Sequence, residues 1–166
     1  MGANDGPIHL SRDGGTTWID VTPEGLGPHG RVQTIEVSPH DPAAAYAAVL
    51  RYQLGDFSPH VYATRDYGAT WTRLDGSFPK GMVTKTIRED TVRRGLLFVG
   101  TETGVFASID DGASWRKLNL NMPPLPVFDI EIKNADVVIA THGMGFWILD
   151  DISPLRQYSA ELASKK

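Results

Sequence analysis

Three segments of the chain alternate apolar and polar residues with a period of two: Val32-Gln33-Thr34-Ile35-Glu36-Val37, Met82-Val83-Thr84-Lys85-Thr86-Ile87 and Val127-Phe128-Asp129-Ile130-Glu131-Ile132. That period belongs to half-buried strands. Each segment is followed by a more continuous apolar run: Ala45-Tyr46-Ala47-Ala48-Val49-Leu50, Leu96-Leu97-Phe98-Val99-Gly100 and Val137-Val138-Ile139-Ala140. A further run follows a turn: Gly6-Pro7-Ile8-His9-Leu10, His60-Val61-Tyr62-Ala63 and Gly104-Val105-Phe106-Ala107, with Phe146-Trp147-Ile148-Leu149 in the last copy. Short strands close two of the copies, Trp71-Thr72-Arg73-Leu74 and Trp115-Arg116-Lys117-Leu118. No segment sustains a helical period, and only Ser159 to Lys166 has room for a helical turn or two.

The turn between the last two strands carries a recurring motif, [ST]-x-D-x-G-x-[TS]-W. It reads Ser11-Arg12-Asp13-Gly14-Gly15-Thr16-Thr17-Trp18, then Thr64-Arg65-Asp66-Tyr67-Gly68-Ala69-Thr70-Trp71, then Ser108-Ile109-Asp110-Asp111-Gly112-Ala113-Ser114-Trp115. The aspartates fall 53 and 44 residues apart. A unit of four short strands, here A to D, repeating at that spacing is the signature of a blade array.

The predicted fold is all-β, a β-propeller segment of four-stranded antiparallel blades. Two blades are full, at 31–76 and 82–120, and two are partial, at 1–22 and 127–152, with a tail at 153–166. Residues 8 to 22 supply strands C and D, and the fourth unit supplies A, B and C before its motif decays to Leu149-Asp150-Asp151. Complete propellers have about 4–8 blades. The expectation is therefore a piece of a larger propeller, or a subunit closed by association.

Composition narrows the functions. The 166 residues carry 16 Lys and Arg against 20 Asp and Glu, which excludes a strongly basic nucleic-acid or polybasic membrane binder. There is no cysteine, so disulfides, zinc thiolates and cysteine nucleophiles are excluded. The apolar runs are far too short for a membrane span. Met1 to Gly6 shows no signal-peptide pattern.

Within the motif, Asp13, Asp66 and Asp110 can cap exposed backbone N–H groups in an Asx-type turn. Gly15, Gly68 and Gly112 supply positive φ. The following Thr or Ser adds a hydrogen bond, and Trp18, Trp71 and Trp115 cover the turn. The nine residues are read as structural. Calcium loops need about six or more oxygen ligands, and the five histidines show no ligand spacing. No metal and no cofactor is expected.

This motif resembles the Asp-box, or bacterial neuraminidase repeat, found in sialidases and sortilin-type receptors. Val99 to Gly112 and Ala140 to Arg156 are similar to the C-terminal blades of large secreted bacterial sortilin-like proteins, often labelled glycosyl hydrolases. The resemblance covers Gly2 to about Arg156 and implies a secreted or periplasmic location. That family usually has a basic residue where Met144 stands. The Arg-Ile-Pro-type segment of sialidases has no counterpart here, and sialidase activity in this chain alone is not expected.

Three carboxylates, Glu36, Asp129 and Glu131, lie on the innermost strands. They are read as channel residues or partners of nearby Lys and Arg; a glycosidase pair is the competing reading. Matched B–C turns differ from unit to unit, carrying Asn4 and Asp5, then an insert from Arg51 to Pro59 with Tyr52 and Phe57, then Glu102, then His142. The C–D turns barely differ. These seven residues, Asn4, Asp5, Arg51, Tyr52, Phe57, Glu102 and His142, are the ligand-facing candidates. The function expected is a non-enzymatic extracellular binding or scaffold segment recognising a peptide, protein or carbohydrate. The alternative is a fragment of a sialidase- or glucanase-like glycoside hydrolase. Other partners expected are the remaining blades or a second copy, the hairpin at 8 to 22 pairing with the sheet at 127 to 152. Neither nucleic acid nor a membrane span is expected.

Overall fold

A computed structural model describes residues 1–158; the helical turn expected at Ser159 to Lys166 lies outside them. The chain is an all-β propeller segment of four antiparallel sheets arranged in sequence order. The first pairs β1 (His9–Leu10) with β2 (Ile19–Asp20). The second has the order β3 (Arg31–Val37), β4 (Ala45–Leu50), β5 (Val61–Thr64), β6 (Thr72–Arg73). The third repeats it with β7 (Thr84–Glu89), β8 (Leu97–Thr101), β9 (Gly104–Ser108) and β10 (Arg116–Lys117). The fourth holds β11 (Val127–Lys133), β12 (Asp136–Thr141) and β13 (Phe146–Leu149).

The burial of each strand follows from its place in this row. Sheet three is covered on both faces, so β8 and β9 are buried at every position. That is why they read as unbroken apolar runs. One cluster, with Tyr46, Ala48, Val61, Ile87, Val99 and Phe106, fills the seam between sheets two and three. Another, with Phe98, Val105, Val127, Ile130, Val137 and Ile139, fills the seam between sheets three and four. Sheet four has an open outer face, and β13 alternates exposed and half-buried residues.

Two features depart from expectation. Residues 1–3 lie against β1, through the Gly2–Ile8 bridge and the bond from the Ala3 N–H to the Pro7 carbonyl at 2.9 Å. The first unit thus has a third extended segment beyond strands C and D. The fourth unit follows its predecessors into the turn: Ile152 N–H bonds the Ala135 carbonyl at 2.7 Å, as Tyr67 bonds Ala43 and Asp111 bonds Gly95. It then enters helix α1 (Ser153–Gln157), with Pro154 in its first turn, instead of strand D. Arg156 fixes the helix by two bonds, 2.7 and 3.0 Å, to the fully buried Asp90.

The three aspartate turns are superimposable in their bonding. Asp13, Asp66 and Asp110 each accept the backbone N–H of the residue four positions on at 2.9 Å. Their second oxygens accept the hydroxyls of Thr17, Thr70 and Ser114 at 2.5–2.6 Å. Gly15, Gly68 and Gly112 have φ of 93°, 83° and 85°. Glycine at 68 and 112 has a second cause, close approach across the seam. An added Cβ would stand 2.8 Å from Val21 and 2.6 Å from Leu74 of the preceding unit.

Two of the three tryptophans do more than cover their own turns. Trp71 donates its indole N–H to Val21 O at 2.7 Å and Trp115 to Leu74 O at 2.6 Å, each in the preceding unit. Trp18 instead bonds its own Gly15 O at 3.0 Å. The variable motif positions also cross seams: the Arg12 guanidinium lies 3.9 Å over Tyr67, and Arg65 bonds Asp111 at 2.5 and 2.6 Å.

Candidate functional site

All four B–C turns lie on one rim, tied to the segments that lead into the A strands. Asp5 O accepts His29 N–H at 2.8 Å, Glu102 N–H donates to Val83 O at 3.3 Å, and His142 N–H donates to Pro126 O at 3.0 Å. Arg51 donates to Gly27 O at 3.3 Å and Pro28 O at 3.1 Å.

Each A strand also bulges at this level. The pairing registers skip Gln33, Lys85 and Phe128, between Val32 and Thr34, Thr84 and Thr86, and Val127 and Asp129. A bulge leaves one residue unpaired and re-aims its side chain. The signal was present in the sequence. The isoleucines at 35, 87 and 130 follow Val32, Thr84 and Val127 by three residues, out of phase with a regular strand.

The bulges and the B–C turns meet at the seam between sheets three and four. Lys85 Nζ pairs with Glu102 Oε1 at 3.0 Å and lies 4.0 Å from the centre of the Phe128 ring. The Phe128 and His142 rings are 5.4 Å apart, inclined at 44°. Phe128 is nevertheless 46% exposed. Glu102 and His142 are thus brought together, by two residues that inspection of turns alone passes over.

The insert forms a separate cluster. A 3-10 turn at Tyr52–Leu54 carries it outward, leaving Tyr52, Leu54 and Phe57 exposed. Arg51 also lies 3.4 Å from Asp56, so its guanidinium ties the insert to the segment before β3. Asp56 also meets buried His60 Nε2 at 2.7 Å. Burial lowers the His60 pKa, opposed in part by Asp56. Burial of Asp56 is outweighed by hydrogen bonds from Ser58 and His60, which hold it at about 2. The insert ends against sheet three, where His60 N–H donates to Thr84 Oγ1 at 3.2 Å, next to Lys85. Asn4 and Asp5 are exposed at the tip of the first unit.

Below the rim, the A strands line a polar cleft of about 600 Å³ bordered by Gln33, Glu36, Arg88, Phe128, Asp129 and Glu131. Arg88 sits between two carboxylates, 2.8 Å from Asp129 and 3.7 Å from Glu36. Burial raises the pKa of Glu36, opposed by Arg88 and the Glu89 N–H and reinforced by Glu131 and Glu89. Among the described residues, no group of three or more His, Cys, Asp or Glu is placed to hold a metal ion. No helix among them is long and apolar enough to cross a membrane.

No family model and no curated protein sequence matches the chain. Solved structures match at low identity. YCF48 bound to D1 peptide aligns with a TM-score of 0.63 and 18% identity, over 90% of this chain and 46% of its own. The GH74 xyloglucanase from Xanthomonas campestris gives 0.67 and 16%, over 90% and 27%. YCF48 from Cyanidioschyzon merolae gives 0.59 and 15%, over 89% and 47%. These are β-propellers, and at such identities the likeness is one of fold. The chain spans less than half the length of each.

Proposed function

We propose that this chain is a non-enzymatic binding segment of an Asp-box propeller of the sortilin-like kind, acting outside the cytoplasm. Its B–C rim engages a peptide or protein. The observation that carries the reading is the cluster of Lys85, Glu102, Phe128 and His142. An exposed aromatic ring is held from one side by a cation and from another by a second ring, with a carboxylate beside it. Such a surface offers apolar area together with hydrogen-bond donors and acceptors, which suits the mixed chemistry of a peptide. Tyr52 and Phe57 extend the aromatic area along the same rim. The structural likeness to YCF48 bound to D1 peptide is in keeping with a peptide partner.

The cleft favours a second reading, a glycoside hydrolase fragment. Glu36, whose pKa burial raises, and Asp129 line the same cleft, and a pair of carboxylates is what a glycosidase uses. The likeness to a GH74 xyloglucanase belongs to this reading. Against it, Arg88 engages both groups as an ion-pair partner.

One experiment separates them. The chain is panned against a library of short peptides and a glycan array, and incubated with xyloglucan while reducing ends are counted. The expected result is retained peptides, weakened tenfold or more by Phe128→Ala, with no new reducing ends. Release of reducing ends that Asp129→Asn abolishes would overturn the proposal in favour of hydrolysis. Retention of glycans alone would overturn the choice of ligand.

A further inference from the structure

The cleft below the rim draws all of its lining from the A strands β3, β7 and β11. The first sheet and the outer face of the fourth take no part in it. In a propeller the innermost strands border the central channel, whatever the number of blades. Glu36, Arg88 and Glu131 hold the same place on the three strands, each directly after its isoleucine: Ile35, Ile87 and Ile130. Asp129 lies two positions before Glu131 and so on the same side of β11. Three carboxylates thus share the cleft with one guanidinium.

The guanidinium is already engaged. Arg88 donates to Ile87 O at 2.9 Å and to Asp129 Oδ1 at 2.8 Å, with Glu36 3.7 Å away. Asp129 is oriented through one oxygen alone. Its Oδ1 also accepts the Thr86 hydroxyl at 3.2 Å and the Ile130 N–H at 2.9 Å, while its Oδ2 accepts no hydrogen bond among the described residues. That side chain is 60% exposed. Glu131 is exposed and forms no ion pair among the described residues. Glu89, 1% exposed, borders the adjoining cavity together with Glu36, Arg88 and Glu131, and its Oε2 is buried without a hydrogen-bond partner. The charged groups of the cleft therefore offer acceptors and call for donors from a ligand.

We propose that the peptide held at the rim places an arginine or lysine side chain in this cleft, against Asp129 Oδ2 and Glu131, with a neighbouring residue on the ring of Phe128. This rests on the peptide reading of the rim and adds the identity of one peptide residue. Phe128 joins the two places, since it lines the cleft and also stands between Lys85 and His142. At the rim itself Lys85 and Glu102 balance one another at 3.0 Å. The unbalanced charge is below them, and it is negative. A guanidinium suits it best, because its planar fork donates to two acceptors at once. The cleft, about 600 Å³, has room for such a side chain. An acidic side chain there would meet like charge.

Peptides retained by the full chain from a random library test this. Their sequences are compared with the input, and the peptide retained best is remade with citrulline for each arginine and acetyl-lysine for each lysine. Retained peptides are expected to be enriched in arginine and lysine. The neutral form is expected to bind about tenfold more weakly, as for the loss of a charged hydrogen bond. Glu131→Gln is expected to weaken the basic peptide by a similar factor and the neutral form hardly at all. The comparison of the two peptides uses the unaltered chain, so it does not depend on a variant that folds. Retained peptides without that enrichment, a neutral form bound equally well, or equal losses of both forms on Glu131→Gln would overturn this proposal and leave the rim reading standing. A basic residue that matters while Glu131→Gln and Asp129→Asn leave binding unchanged would place the cation elsewhere and overturn it too. Retention of no peptide would overturn the rim reading and the proposal together.

Discussion

The indole N–H of Trp115 donates to the carbonyl of Leu74 at 2.6 Å, across the seam between two sheets. Trp115 is buried and stacks on Phe78, with ring centres 4.9 Å apart. One residue therefore contributes apolar burial, an aromatic contact and the pairing of a carbonyl at a sheet end. Truncating a buried tryptophan costs about 3–5 kcal/mol, and losing one hydrogen bond costs about 1 kcal/mol. Trp115→Ala should destabilise by the first amount. Trp115→Phe should lose at least the second. Trp18→Ala, exposed and bonded only within its own turn, should change the monomer by about 0.5 kcal/mol or less. Urea unfolding at low protein concentration measures all three. Equal losses at positions 18 and 115 would contradict the seam assignment.

The aspartate turns make a second prediction. Hydrogen bonds from the Thr70 hydroxyl and N–H hold the Asp66 carboxyl at about 2, and Thr17 does the same for Asp13. A folded pKa below the unfolded value of about 3.9 stabilises the fold at higher pH. That contribution fades as pH falls through roughly 4 to 2. Asp66→Ala should lower stability at neutral pH, as losing a helix cap that satisfies backbone N–H groups does. Asp66→Asn should flatten the acid limb of a plot of stability against pH. An Asp66→Ala variant of full stability that loses bound calcium would refute the structural role.

Asp90 and Arg156 make a third. Asp90 is fully buried and also accepts the Arg93 N–H at 2.7 Å. Removing Arg156 leaves a buried charge with only part of its compensation, and breaking such pairs costs about 3–5 kcal/mol. Arg156→Ala should lower the thermal midpoint and release α1, while Arg94→Ala, whose partner Asp41 is reached from an exposed side chain, should do little. Differential scanning fluorimetry compares them. Similar shifts for the two would mean that α1 is not held through Asp90.

The sheets were legible because their signals are local. Alternation marked β3, β7 and β11, apolar runs marked β4 and β8, and the motif fixed each C–D turn. What escaped depends on relations between units. The role of Trp71 and Trp115 across a seam is invisible in a single repeat. The helix at Ser153–Gln157 stands where Leu149, Ser153, Leu155 and Arg156 replace the Ser or Thr, Gly, Thr or Ser, and Trp of the motif, but its anchor at Asp90 is 66 residues away in sequence. At the rim, Glu102 and His142 were found by comparing turns. Lys85 and Phe128 were missed because a bulge turns them out of an apparently regular strand. Arg51 stood at a variable tip, yet its guanidinium found backbone carbonyls within the fold.

The central claim is that the rim around Phe128 takes the ligand. Amide chemical-shift mapping with a peptide recovered from the library tests it most directly. The account predicts shifts concentrated at residues 83–86, 101–104, 126–129 and 141–143, with the aspartate turns silent and the pattern lost in Phe128→Ala. Shifts centred on the turns at Asp13, Asp66 and Asp110, with the rim unchanged, would contradict it.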